Sequence, residues 1–258
     1  MNLLTPGEPS PVIVRNAGAA SPFLLIGDHA GREIPRALGD LGVAPREMKR
    51  HIAWDIGVAD LGLRLADMLG ASFVSQRYSR LVIDCNRAPQ RADSIPTFSD
   101  GIAIPGNAGL SQAAADARRR AIHQPYHDRI AHELDRRGHA GLESVLVSLH
   151  SFTPQMAGDR RPWGFGVLHD GDSAFSDAVL ERLTAVQARP VGDNLPYRMD
   201  EVDYTVPLHA RARGLAYLEL EIRQDILAKA GGRDEVARLL VKVLPQAREM
   251  VGASSAGR

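Results

Sequence analysis

Three stretches of the chain end an apolar run in side chains that can bind a metal, move a proton or hold a charge. Residues 143–153 read E-S-V-L-V-S-L-H-S-F-T, so Val145, Leu146, Val147 and Leu149 lead into His150. Residues 23–29, F-L-L-I-G-D-H, lead into Asp28 and His29, and residues 80–87, R-L-V-I-D-C-N-R, lead into Asp84, Asn86 and Arg87. One histidine at a strand-loop corner is more often structural than functional, but three stretches that end alike shift the balance toward a site. Two histidines among carboxylates suggest a divalent metal, zinc first. Catalytic zinc takes three ligands from His, Glu or Asp and keeps a position for water, and imidazoles suit zinc, nickel or cobalt better than magnesium. The third ligand stays open at this point. Glu33 follows His29 by four residues, one helical turn; Asp55 stands where it could equally cap a helix; Asp28, adjacent to His29, would tend to point away.

A fourth stretch, A-Y-L-E-L-E-I-R at 216–223, places Glu219 and Glu221 two apart and therefore on one face of a strand, with Leu218, Leu220 and Ile222 on the other. A carboxylate there can act as general base toward a water at a metal. Glu221 and its competitor Glu219 both have the position for it, and Glu219 is expected to be held in an ion pair with an arginine. Arg80, Asn86 and Arg87 group fixed charge and amide donors, and arginine matches a carboxylate with two parallel hydrogen bonds. They read as a substrate-carboxylate anchor or, more plainly, as a surface cluster.

These residues need a scaffold. Short apolar, β-branched runs at 23–26, 71–75, 80–83, 145–149, 163–168 and 215–222 read as strands, with 12–14 as an edge strand. Between them, apolar residues at helical spacing predict helices at 58–69, 112–137 (broken near Pro125), 173–188 and 233–251, with a shorter one from Pro45 to Arg50. Residues 88–110 and 193–207 are rich in turn formers and read as long, functional loops. Alternating strands and helices without repeat or linker predict one α/β domain over 1–258. In open sheets of that kind, ligands bind at the carboxyl ends of the strands.

Composition narrows the partners. Lys plus Arg and Asp plus Glu both number 31, which argues against a broad nucleic-acid or membrane footprint. Cys85 is the only cysteine and can make no internal disulfide. The first residues show neither a basic start nor a long apolar run, so no signal peptide or membrane span is expected and a cytoplasmic location is the default.

The pieces L-L-I-G-D-H-A-G, H-I-A-W-D-I-G, S-R-L-V-I-D-C-N-R, S-L-H-S-F, D-N-L-P-Y and L-E-L-E-I-R-Q-D, in that order and spacing, make the chain resemble the N-formylglutamate amidohydrolase family over nearly its whole length. That family is similar to zinc carboxypeptidases and aspartoacylase-like deacylases. The resemblance implies a carboxypeptidase-like α/β fold with a mixed, mostly parallel central sheet flanked by helices. It implies His29, an acid and His150 as metal ligands, Asn86 and Arg87 on the substrate carboxylate, and Glu221 as base. The acid of the W-D stretch makes Asp55 the preferred third ligand. Glu33 is the alternative, because Arg32 occupies the position where carboxypeptidases carry their acid. Arg80 would stabilise the oxyanion and contact substrate, and Tyr197, with Tyr204 as rival, would help to bind the tetrahedral intermediate. The first motif reads D-H-A-G where the named hydrolases read P-H-S-G, which marks a side branch. The expected activity is metal-dependent hydrolysis of the linear amide of an N-acyl amino acid, N-formyl among the acyl groups, such as N-formylglutamate. A carboxypeptidase-like peptide hydrolase and a non-catalytic binding protein on the same fold are the alternatives.

Overall fold

In the computed structural model, which describes residues 3–256 and side chains through residue 253, seven strands form one sheet. Residues 1, 2, 257 and 258 of the expected 1–258 domain lie outside the described residues. In chain order the strands are β1 (Val12–Arg15), β2 (Phe23–Gly27), β3 (Ser72–Gln76), β4 (Val145–Phe152), β5 (Phe165–Leu168), β6 (Val191–Asp193) and β7 (Ala216–Arg223). Their spatial order is β1-β3-β2-β4-β7-β5-β6. The central pairs β3–β2, β2–β4 and β4–β7 are parallel, as is β5–β6. Antiparallel pairing occurs at β1–β3 and β7–β5. The sheet is therefore mixed and mostly parallel. Each central strand is buried along its length, as near-continuous apolar runs in a covered sheet require.

Helices cover both faces. On one side lie α1 (Val58–Leu69), α4 (Ala174–Val186) and the long closing α6 (Ala230–Ala256), packing Leu61, Val179 and Leu240 against Leu25, Val147 and Leu218. On the other side lies the run α2 (Gln112–Arg118), a π-helical turn at Arg119–His123, and α3 (Gln124–His139), which sets Tyr126 and Ile130 against Leu24, Ile26 and Leu146. The break expected near Pro125 is this π turn, immediately upstream of the proline. The short helix α5 (Thr205–His209) ends the second long loop. Among the described residues, no helix is long and apolar enough to cross a membrane.

One expected strand does not form. Residues 80–83 turn instead, with Val82 N donating to Ser79 O at 2.9 Å. Both sheet positions beside β2 are already taken by β3 and β4. Leu81, Val82 and Ile83 are nonetheless buried, so their backbone must find partners elsewhere. Leu81 O accepts from Asn107 Nδ2 at 2.8 Å, and Val82 O from Arg118 Nη1 at 2.9 Å. Residues 47–49 form only a 3₁₀ turn in place of the helix expected from Pro45.

The two sheet faces differ at their carboxyl ends. Along β4 the second face runs Leu146, Ser148, His150, and along β7 it runs Tyr217, Glu219, Glu221. The apolar core of that face stops where these polar residues begin, and the cavity opens there.

Candidate active site

β4 and β7 pair in parallel with His150 beside Glu221 and Ser148 beside Glu219. β2 delivers His29 just past its end, and Asp55 N donates to His29 O at 2.8 Å, bringing the W-D stretch alongside. Helix α1 begins only after Gly57, whose φ of 86° and contact with Leu227 leave no room for a Cβ. Its N-cap is that glycine, so the Asp55 carboxylate is not spent on capping. It points inward instead.

Asp55, and not Glu33, meets the two histidines in space. Its Oδ2 lies 3.0 Å from His150 Nδ1 and 3.5 Å from His29 Nδ1. One ligand atom from each of His29, Asp55 and His150 falls within 4.8 Å of the other two, and among the described residues no other His, Cys, Asp or Glu group converges in this way. All three residues are buried. Glu33 is half-exposed, lies outside the cavity and pairs with Arg77 at 3.0 Å.

The far nitrogen of each ring is held by a further aspartate. His29 Nε2 lies 2.7 Å from Asp84 Oδ1. His150 Nε2 lies 3.3 Å from Asp28 Oδ2 and 3.0 Å from Ser148 Oγ. An ionised carboxylate only accepts, so each Nε2 donates; Nδ1 of His150 faces Asp55 Oδ2 in the same way, and Nδ1 is the nitrogen on each ring that a metal ion would take in place of a hydrogen. His29 Nδ1 is buried without a hydrogen-bond partner. Two Nδ1 atoms and one carboxylate oxygen aimed at a common point, each ring anchored by a carboxylate, is a donor set suited to zinc. Asp28 therefore does not point idly away from its neighbour. It serves the other histidine, with Thr205 Oγ1 donating to its Oδ1 at 2.8 Å.

These pairings set the charges. Burial disfavours a charged His150, yet hydrogen bonds to Asp28 and Asp55 outweigh it and push its pKa well above the usual histidine value. His29 is raised too, burial and Arg80 being outweighed by Asp84 and Asp55. Burial works against ionised Asp55 and Asp84, but His29 and Arg80 hold both carboxyls far below their usual value.

Around this centre lies a cavity of about 390 Å³ whose lining includes Arg80, Asn86, Arg87, Tyr197, Glu219 and Glu221. Arg80 donates from Nη1 to Asp55 Oδ1 at 3.2 Å and from Nη2 to Asp84 Oδ2 at 3.1 Å, yet keeps about a quarter of its side chain exposed. Asn86 is largely committed. Its Oδ1 accepts from the backbone of Tyr204 and Thr205, each at 3.0 Å, and its Nδ2 donates to Asp203 at 3.1 Å. Arg87 donates to Asn86 O at 2.9 Å and has Asp203 and Asp93 as its nearest carboxylates, at 3.9 and 3.8 Å. Tyr197 sits exposed, its hydroxyl accepting from Arg161 at 2.8 Å. Tyr204 packs against His123 and His127.

The two glutamates depart from expectation. Glu219 is buried but makes no ion pair with any arginine among the described residues, and its Oε2 has no hydrogen-bond partner; the same holds for Oε2 of Glu221. Burial pushes Glu221 up to about 7, with His150 opposing. Burial, and then the charge of Asp203, push Glu219 well above the usual carboxylate value.

The family model described as N-formylglutamate amidohydrolase matches residues 21–228. Among solved structures, a gene product of Agrobacterium tumefaciens superposes with a TM-score of 0.94 at 36% identity, covering 97% of this chain and 100% of its own. An N-formylglutamate amidohydrolase from Ralstonia eutropha JMP134 superposes with a TM-score of 0.66 at 19% identity, covering 93% and 98%, which speaks for a shared fold. No curated protein matches the chain.

Proposed function

Because the chain belongs to the N-formylglutamate amidohydrolase family, we propose that it hydrolyses the linear amide of an N-acyl amino acid, N-formyl among the acyl groups, in a metal-dependent reaction. The observation that carries this reading is the convergence of His29 Nδ1, His150 Nδ1 and Asp55 Oδ2 in a cavity that also holds an unpartnered Glu221. His29, Asp55 and His150 would hold the ion, zinc first. When bound, it supplies Lewis-acid polarisation and makes water a better nucleophile near neutral pH.

The chain's own residues do the rest. Glu221, adjacent to His150 across the β4–β7 pair, takes the proton of the attacking water and returns it to the leaving nitrogen. A carboxyl near 7 suits both transfers. Arg80 has N–H groups beyond those facing Asp55 and Asp84, and these stabilise the oxyanion. Arg87 anchors the α-carboxylate of the substrate, while Asn86 mainly ties the 84–87 loop to residues 203–205 and has one amide hydrogen to spare for substrate. Tyr197 lines the cavity with Arg161 stacked on its ring at 4.7 Å.

Metal analysis of the purified protein, followed by formate or acetate release from N-acyl amino acids with and without chelator, tests the reading. Stoichiometric zinc and chelator-sensitive release are expected. Chelator-resistant release, or a protein that binds no divalent ion, would refute metal dependence.

A further inference from the structure

Little holds the guanidinium of Arg87. Its hydrogen bonds go to Asn86 O at 2.9 Å and Val202 O at 3.4 Å, and Asp93 and Asp203 stay 3.8 and 3.9 Å away. Its aim must come largely from its backbone. Among the described residues, no backbone N–H reaches the carbonyl of Arg87 or that of Cys85. Two buried histidines four residues apart supply the donors instead. His123 Nε2 donates to Arg87 O and His127 Nε2 to Cys85 O, each at 3.0 Å. Thr205 Oγ1 lies 3.3 Å from Cys85 O, but its one hydrogen goes to the nearer Asp28 Oδ1.

These bonds have a direction that runs back into the fold. A carbonyl only accepts, so Nε2 of His127 carries the hydrogen and Nδ1 of the neutral ring accepts. His209 Nε2 stands 2.9 Å from that Nδ1 and donates to it, and Nδ1 of His209 is left buried without a donor. Burial lowers the pKa of all three histidines and keeps them neutral. The rings pack on one another and on Tyr126 and Tyr204, beside the apolar core of that sheet face. Apolar side chains of similar shape would fill the space and leave no acceptor unmet. Stability alone does not call for histidines there. What they add is directed hydrogen bonds to the turn that carries Asn86 and Arg87.

We propose that His123 and His127 are positioning residues for substrate binding: they fix the backbone at Cys85 and Arg87, and with it the direction in which the Arg87 guanidinium meets the substrate carboxylate. His209 sets which nitrogen of His127 donates. This rests on the reading of Arg87 as the carboxylate anchor of an amidohydrolase site and extends it.

The test measures hydrolysis of N-formyl-L-glutamate and N-formyl-L-leucine by zinc-loaded protein. His123 and His127 are changed singly to Leu and to Gln, in the parent and in Arg87→Ala. Gln keeps an N–H near the position of Nε2, and Leu keeps none; Met replaces Leu where that variant does not fold. Each Leu change should raise KM about two- to tenfold, the worth of one hydrogen bond, with kcat and zinc content nearly unchanged. Gln should restore most of the loss. In Arg87→Ala the same changes should barely move KM. A KM rise that persists in Arg87→Ala, or that Gln does not reduce, makes the histidines general supports and overturns the proposal, as does an unchanged KM. If Arg87→Ala itself leaves KM unchanged, anchor and positioning fall together while hydrolysis stands. If neither substrate is hydrolysed, the amidohydrolase reading falls, and calorimetry with L-glutamate and L-leucine decides the positioning. Affinity lost in the Leu variants only where Arg87 is present supports it, and any other pattern overturns it.

Discussion

Nε2 of His29 lies 2.7 Å from Oδ1 of Asp84, and this contact decides which nitrogen of the ring is left for anything else. Asp84 is itself fixed, by Arg80 at 3.1 Å and by the backbone N–H of Asn86 at 2.8 Å. The orientation of His29 is thus inherited from a loop more than fifty residues downstream. Asp84→Asn should retain the fold but lose the tautomer preference, weakening zinc binding by roughly 10- to 100-fold. Titration against a competing chelator measures this directly, without an activity assay. Unchanged affinity would mean that the contact orients nothing.

Glu221→Gln keeps shape and removes basicity. Turnover should fall by about 10²–10⁴ while zinc stays bound, because Glu221 is not one of the three converging ligands. Full activity in a zinc-replete variant would exclude Glu221 as the base.

Arg87→Ala should chiefly raise KM, by roughly 10- to 100-fold, if the guanidinium holds the substrate carboxylate equally in ground and transition states. An accompanying fall in kcat would show that it also orients the amide. A soaked dicarboxylate that binds elsewhere, with Arg87 facing solvent, would argue against the role.

The metal-free protein should lose stability in both pH directions. His150, His29 and Glu221 have raised pKa values, Glu221 at about 7, so their contributions are present below the unfolded values and fade as pH rises through the folded ones. His127 and His209 are pulled down to about 3 and about 4, chiefly by burial, with His123 also lowered. Their contributions are present above the unfolded value of about 6.5 and are lost as pH falls toward the folded values. Melting temperature against pH should therefore peak between the two limbs. In His209→Gln the acid limb should be shallower, and in Glu221→Gln the alkaline one.

Arg118 is fully buried and donates to Val82 O, Asn107 Oδ1 and Gly106 O. Arg118→Leu should cost on the order of 3 kcal/mol, because it leaves buried acceptors without their donor. Chemical denaturation measures the loss. Zinc affinity should fall with it, since the loop that carries Arg80 and Asp84 loses its support.

How far these residues could be read in advance depends on where their partners lie. His29 and His150 stand at the ends of apolar runs, and position alone singles them out; the preference for Glu221 over Glu219 comes from the family resemblance. The pairing of Asp55 rather than Glu33 was legible only through the family resemblance, since either could reach by spacing. Residues 80–83 looked like a strand because a buried apolar run has the same pattern whether a neighbouring strand or a side chain satisfies its backbone; the donors, Asn107 and Arg118, come from distant parts of the chain. Adjacency to His29 says only that Asp28 points away from it. The strand alternation continues one residue past β2 and puts Asp28 on the face of Leu24 and Ile26, where His150 waits. Glu219 reads as ion-paired on a wet sheet face, whereas that face is covered and leaves it buried.

The π-helical turn between α2 and α3 sets the phase of everything attached to it. Arg118 precedes it and reaches the 80–83 loop; His123 and His127 lie within and beyond it and donate from Nε2 to the carbonyls of Arg87 and Cys85. Each residue of an α-helix advances the side-chain direction by about 100°. Removing one residue between 119 and 123 would make the helix regular and at the same time swing Arg118 about a quarter of a turn away from Val82. In this segment the length of the chain is as specific as its residues, and an ordinary helix in its place would disconnect one end of the loop that orients His29.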